Sequence, residues 1–130
     1  MELLLDTHII LWSLLEPERL RKTILSRLQS DDSQLWISPI SIWEIMILDK
    51  RKKIRLLPDA ETWIRGVLGK APFREAHLNR EVAIRSCLIK LPHKDPADRF
   101  LAATAVVFDL TLVTSDKRLQ GSREYKVLKN

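Results

Sequence analysis

The sequence is poor in the residues and runs that define several common protein classes. Its single cysteine, Cys87, excludes an internal disulfide and suits a reducing compartment. Only three glycines occur in 130 residues, so no glycine-rich phosphate-binding loop is present. No apolar run approaches the roughly 18–20 residues of a transmembrane helix, and the N-terminus reaches Asp6 after one short apolar run, without a basic leader. We therefore expect a cytoplasmic protein with no membrane association.

What remains is the composition of an ordinary globular chain with an excess of positive charge. Hydrophobic residues make up 45% and charged residues 30%, and neither repeats nor linkers interrupt the sequence. We expect one domain over residues 1–130. The net charge of +5 is compatible with a polyanionic partner, either a nucleic acid or an acidic protein.

The order of apolar segments predicts an α/β fold. Short apolar runs predict strands over 3–6, 34–38 and 111–116, with further short strands over 73–78 and 126–128. Helical spacing predicts helices over 7–15, 18–30, 41–53, 58–70, 79–89 and 95–108. Strands that alternate with helices form a parallel sheet that is covered on both faces.

Acidic residues stand where such a sheet binds its ligands. Asp6 ends the first strand and Asp116 ends a late one, and ligands of parallel sheets lie at the carboxyl ends of the strands. In KDPADRFLAATA, Asp95 is the predicted N-cap of an apolar helix, and Asp98 lies in its first turn. Glu44 interrupts the apolar helix SIWEIMIL, where a lone carboxylate is costly to bury.

Each acid also has a purely structural explanation. Asp6 and Asp116 can cap the helices that follow them, Asp98 can complement a helix dipole, and Glu44 can pair with a lysine. Four carboxylates that converge on one sheet edge would, however, repel each other unless a cation lay among them. Oxygen ligands select Mg²⁺ or Mn²⁺, and metal-assisted hydrolysis of phosphodiester bonds is the chemistry that this predicts.

Four segments together resemble a known family. LLLDTHIILW, SPISIWEI, HKDPADRFLAATA and LTLVTSD are similar, in order and spacing, to the four motifs of the PIN domain, specifically the VapC-type toxin ribonucleases of toxin–antitoxin pairs. The resemblance implies a three-layer α/β/α fold with a central five-stranded parallel sheet. It also implies an endoribonuclease that depends on Mg²⁺ or Mn²⁺, forms a homodimer and is neutralised by a cognate antitoxin.

The resemblance assigns residues to this site. The catalytic, metal-binding acids fall on Asp6, Glu44, Asp98 and Asp116, and Asp95 remains the helix cap. The neighbouring hydroxyls of Thr7, Ser41 and Thr114 either orient a carboxylate or make local turn bonds. Similar toxins often carry Gly-Lys-Leu after the glutamate-bearing helix. This chain reads LDKRKKIRL there, which leaves the geometry of that turn open.

Basic and aromatic residues near the motifs admit two interpretations each. The basic run over residues 50–55 either ends a solvated helix or contacts a phosphate backbone. Arg99 pairs with a carboxylate or reaches the scissile phosphate. His8 and His93 are metal ligands or local hydrogen-bonding groups. We expect Cys87 to be buried, and we expect the four tryptophans, Trp12, Trp36, Trp43 and Trp63, to pack in the core or an interface rather than stack on bases.

Other functions fit the residues less well. A phosphoacceptor receiver-like domain needs a second acid beside Asp6, where Leu5 stands, and an acid at the end of the middle strand, which reads WIS. A PIN-like RNA-binding module without activity would lack an acid, and all four are present. A PIN-like nuclease that acts outside a toxin–antitoxin pair is a third alternative.

Overall fold

The parallel sheet is present with the predicted number of strands. The computed structural model describes residues 1–92 and 94–130, and within them five strands form one all-parallel sheet in the order β3-β2-β1-β4-β5. The strands are β1 (Glu2–Leu5), β2 (Gln34–Ile37), β3 (Phe73–Glu75), β4 (Thr111–Thr114) and β5 (Val127–Lys129).

Helices cover both faces of the sheet and complete the predicted three-layer α/β/α fold. They are α1 (Thr7–Leu15), α2 (Lys22–Gln29), α3 (Pro39–Lys50), α4 (Ala60–Lys70), α5 (Arg80–Leu88), α6 (Pro96–Val107) and α7 (Lys117–Gln120). Successive side chains of β1 point to opposite faces. Leu3 and Leu5 belong to the core under α1 to α4, and Leu4 belongs to the core under α6.

The strand order reverses beside β1, the central strand. From β1 the chain adds β2 and β3 on one side, and it then returns to place β4 and β5 on the other. Leu5 is in register with Val113, and the Asp6 N–H donates to the Val113 carbonyl over 3.0 Å. The carboxyl ends of β1 and β4 therefore lie side by side at the switch point, the usual ligand position in such sheets.

The helix predicted over residues 18–30 is divided in two. A 3₁₀ turn covers Pro17–Arg19, and α2 begins only at Lys22. Leu20 and Arg21 between them are extended. Leu20 is buried in the core, and the Arg21 N–H donates to the Asn130 side chain instead of continuing a helix.

The helix predicted over 41–53 ends earlier, at Lys50. The Lys53 N–H donates to the Leu48 carbonyl and the Lys52 N–H to the Asp49 carbonyl, each over 2.9 Å, which is the Schellman pattern of a helix C-terminus. Lys52 has a φ of 59°, the left-handed conformation that glycine usually supplies. The turn thus forms without the glycine.

The prediction that Cys87 is buried was wrong. The buried stripe of the α5 segment has helical spacing and consists of Val82, Ser86 and Ile89. Cys87 lies on the exposed side of the helix. Trp43, at 56% exposure, also lies outside the core, so core packing was wrong for it and its packing in an interface stays a prediction. Trp12, Trp36 and Trp63 are half-buried and pack against the core as expected.

No helix in the described part of the chain has the length and hydropathy to cross a bilayer.

Candidate active site

The four predicted acids line one cleft at the switch point. The cleft has a volume of about 360 Å³. Its lining includes Asp6, Glu44, Asp98 and Asp116, together with Asp95, Thr7, Ser115, His8, Trp12 and Arg118. Each of the four acids comes from a different part of the chain, and the fold alone brings them together.

Asp6 is the most buried of these acids. It is 9% exposed and directly follows β1. The Thr114 hydroxyl donates to one carboxylate oxygen over 2.6 Å, and the Thr7 N–H donates to the other over 2.7 Å. Burial raises the pKa of Asp6, the two hydrogen bonds oppose this, and the nearby Asp98 carboxylate raises the pKa further.

Glu44 reaches the cleft from the middle of α3. The Thr7 hydroxyl donates to Glu44 Oε1 over 2.6 Å. Burial raises the pKa of Glu44 to about 7. The Thr7 hydrogen bond lowers it, and repulsion from Asp6 and Asp98 adds to the rise. Burial and the neighbouring carboxylates therefore both disfavour the charged form of Glu44.

Asp95, Asp98 and Asp116 occupy helix starts that face the cleft. Asp95 caps α6 as predicted and accepts from the Asp98 N–H over 3.2 Å. Asp116 caps α7 and accepts from the Arg118 N–H over 2.9 Å. The structural and functional explanations of these acids thus coexist, since a capping carboxylate still lines the cleft.

The predicted supporting hydroxyls differ in their outcome. Thr7 and Thr114 do orient carboxylates, and Thr114 also accepts a turn bond from the Asp116 N–H over 3.0 Å. Ser41 is fully buried on α3, and within the described residues its hydroxyl has no hydrogen-bond partner. Ser41 therefore does not orient any of the acids.

The predicted ion pair between Arg99 and a carboxylate is not found among the described residues, and a contact of Arg99 with the scissile phosphate stays a prediction. Its guanidinium donates to the backbone carbonyls of Ser86 and Ile89, over 2.8 and 2.5 Å, and so fastens the end of α5 to α6. Among the described residues, the arginine that reaches the acids is Arg118, which the sequence pattern did not single out. The available signal was its position two residues after Asp116.

One of the two predicted histidines and two residues of the basic run lie in or beside the acidic cleft. His8 lines the cleft, where its ring lies 5.6 Å from that of Trp12, and His93 lies outside the described residues. Lys53 and Arg55, from the basic run, line a second groove of about 400 Å³ that shares His8 and Trp12 with the acidic cleft.

The donor set fits a hard divalent cation. The acids supply only carboxylate oxygens, which Mg²⁺ and Mn²⁺ prefer. Burial, followed by repulsion from neighbouring carboxylates, raises the pKa of Asp6 and of Glu44, and a bound cation would favour the charged form of both. No three histidine, cysteine or acidic side chains in residues 1–92 and 94–130 already form a compact metal cluster.

A family model supports the same assignment. The model of the PIN domain matches residues 3–122. The chain belongs to the PIN domain family. Within that family it is 31% identical, over 92% of its length and 91% of the relative's, to Ribonuclease VapC22 of Mycobacterium tuberculosis.

Solved PIN-fold structures share the architecture at lower identity. VapBC2 from Rickettsia felis, bound to a DNA fragment from its promoter, has a TM-score of 0.73 at 14% identity, covering 99% of this chain and 98% of that one. VapBC-1 from nontypeable Haemophilus influenzae has a TM-score of 0.68 at 18% identity, with the same coverage. These likenesses confirm the fold of this PIN domain.

Proposed function

We propose that the protein is a divalent-metal-dependent endoribonuclease and the toxin of a toxin–antitoxin pair. The observation that carries the proposal is the single cleft into which β1, α3, α6 and the end of β4 each bring a carboxylate. The relative named as a ribonuclease supports the substrate class, and a similar structure named as a toxin–antitoxin complex, from Klebsiella pneumoniae, supports the antitoxin.

The proposed roles follow from the geometry of the residues. Asp6, Glu44, Asp98 and Asp116 would hold one or two Mg²⁺ or Mn²⁺ ions. Thr114 and Thr7 hold Asp6 and Glu44 in fixed orientations, so little ordering remains for the binding step. A bound divalent cation activates water and stabilises the leaving oxygen in phosphodiester hydrolysis. The expected products are a 5′-phosphate and a 3′-hydroxyl.

The antitoxin, the homodimer and the cytoplasmic location belong to the same proposal. A toxin of this kind acts on RNA where RNA is made, and it requires a partner that blocks its cleft. Expression of the wild-type chain alone should therefore arrest growth, and expression of an inactive variant should not.

The deciding experiment is cleavage of total RNA by the purified protein with Mn²⁺, with EDTA, and with Asp6→Asn. Asparagine also caps helices, so this substitution removes a negative charge without removing the start of α1. We expect EDTA to abolish cleavage and Asp6→Asn to lower it by about two orders of magnitude or more, since loss of a residue that only supports a ligand already costs about 10- to 100-fold.

The matched control is Asp31→Asn, at an exposed acid outside the cleft. It should cut RNA like the wild type. Cleavage that persists in EDTA, or products that end in 2′,3′-cyclic phosphate, would contradict the metal-dependent mechanism. RNA binding without any cleavage would instead indicate a silent binding module.

A further inference from the structure

Arg118 places a positive charge on two acids of the cleft at once. Its Nε lies 3.2 Å from Asp116 Oδ1, and its Nη2 lies 3.0 Å from Asp116 Oδ2, which is the forked geometry of an arginine–carboxylate pair. The same Nη2 lies 3.8 Å from Asp98 Oδ2. One guanidinium thus joins carboxylates that the chain supplies from α6 and from the end of β4.

Arg118 is more exposed to solvent than the two carboxylates that it contacts. The Arg118 side chain is 56% exposed, whereas those of Asp98 and Asp116 are 13% and 26% exposed. The guanidinium therefore covers the carboxylates from the solvent side. Exposed ion pairs are weak, and an arginine has many accessible rotamers, so the guanidinium can leave while the backbone of α7 stays in place.

A divalent cation would need the same carboxylate oxygens. Such a cation beside Asp98 and Asp116 would lie within a few ångströms of the guanidinium, where like charges repel strongly. Once displaced, the guanidinium remains at the mouth of the cleft. A phosphodiester offers it the same pair of oxygens that a carboxylate does.

We propose that Arg118 is an exchangeable counter-ion, which a divalent cation displaces from Asp116 and Asp98 and which then binds a phosphate of the RNA. The proposal rests on the proposed function and adds a residue that positions the substrate. It differs from a structural ion pair, which would persist unchanged when the cation binds.

The test compares Arg118→Met with Lys117→Met in the full-length chain. Both substitutions remove one positive charge from α7, and Lys117 does not line the cleft. Calorimetric titration with Mn²⁺ should give Arg118→Met a Kd about fivefold or more below that of the wild type, and Lys117→Met a Kd within twofold. At saturating Mn²⁺, Arg118→Met should raise KM for RNA about tenfold and change kcat far less.

The other outcomes overturn the proposal. An unchanged or weaker Mn²⁺ affinity in Arg118→Met would mean that Arg118 is a structural residue or organises the carboxylates. A KM equal to that of Lys117→Met would remove it from the substrate. If Arg118→Met folds poorly, Arg118→Gln also removes the charge but keeps a polar end group, and it serves the same comparison.

The proposed function fails separately from this inference. A wild-type protein that binds no Mn²⁺ and cuts no RNA would refute the proposed function, and with it the exchange. A wild type that does both, beside two methionine variants that behave alike, would refute only the role of Arg118.

Discussion

At the scale of single residues, the cleft combines buried negative charge with hydroxyls that hold it in place. Thr114 and Thr7 each donate one short hydrogen bond to an acid, yet burial still raises the pKa of both Asp6 and Glu44. Hydrogen bonds of this kind stabilise a charged carboxylate but do not replace a counter-charge. Without a cation the acids therefore destabilise the fold in which they are gathered.

Glu44→Gln should make that cost measurable. Burial raises the pKa of Glu44 to about 7, above its ordinary value near 4.5. Between these two pH values the folded chain keeps a proton that the unfolded chain has lost, so stability falls as the pH rises through this window. Glutamine accepts the same Thr7 bond without a charge. In EDTA, its free energy of unfolding should exceed that of the wild type by about 1–3 kcal/mol at pH 8, and by far less at pH 5.

Urea denaturation at both pH values measures this difference. Glu61→Gln is the control, because Glu61 is an exposed acid of α4 paired with Arg65. Its effect should not change between pH 5 and pH 8. A Glu44→Gln variant that is no more stable than the wild type at pH 8 would mean that the charge of Glu44 does not destabilise the folded chain.

At the scale of elements, the ends of the helices position the site, and α3 ends in an unusual way. The Schellman turn after Lys50 directs the following segment toward the groove that Lys53 and Arg55 line. Lys52 adopts the left-handed conformation there, which costs a residue with a Cβ atom about 1 kcal/mol.

Lys52→Gly should therefore stabilise the protein by about 0.5–1 kcal/mol, because relief of the backbone strain exceeds the added entropy of the unfolded chain. Thermal and urea unfolding measure the change. Lys50→Gly, inside the last turn of α3, should destabilise the protein by a similar amount. If both glycines destabilise, the strain assigned to Lys52 is absent.

The sequence predicted elements better than it predicted their exposed sides. Strand and helix alternation, the Asp95 cap and the places of the four acids along the elements are local patterns, and all are found in the structure. The orientation of α5 is not local. Its sequence holds enough apolar residues for two stripes, and only contact with α6 decides that Cys87 faces solvent.

The same reason explains the two arginines. Arg99 and Arg118 each follow an acid of the site closely, and the sequence favours neither. The end of α5 lies within reach of Arg99, and its backbone carbonyls accept hydrogen bonds from the Arg99 guanidinium. That packing leaves Arg118 as the arginine that contacts Asp98 and Asp116.

At the scale of the whole molecule, charge is divided between adjoining surfaces. The chain carries a net charge of +5, while its central cleft is acidic. Lys53 and Arg55 line the groove that adjoins this cleft, next to Arg19, whose guanidinium lies 4.7 Å from the centre of the Trp12 ring. A strand of RNA in the groove would meet these cations along its backbone.

The double substitution Lys53→Ala and Arg55→Ala should weaken RNA binding uniformly across sequences. It should also reduce the slope of log K against log salt by about 0.7 for each lost phosphate contact. Fluorescence anisotropy with single-stranded RNA measures the affinity and its salt dependence. All proteins in this experiment also carry Asp6→Asn, so that the RNA is not cut. Lys126→Ala, at an exposed lysine that does not line the groove, is the control. An unchanged slope would leave the basic run as a solvated helix end.

The position of β1 at the centre of the sheet decides when, during synthesis, the cleft can form. Asp6 is synthesised before the strand that completes its surroundings, because β4 begins at Thr111 and Asp116 follows it. A nascent chain held at residue 100 has neither the Thr114 hydroxyl nor the fourth carboxylate. The cleft therefore exists only after the chain has been synthesised at least as far as Asp116, so its four acids are not gathered while β4 is still being made.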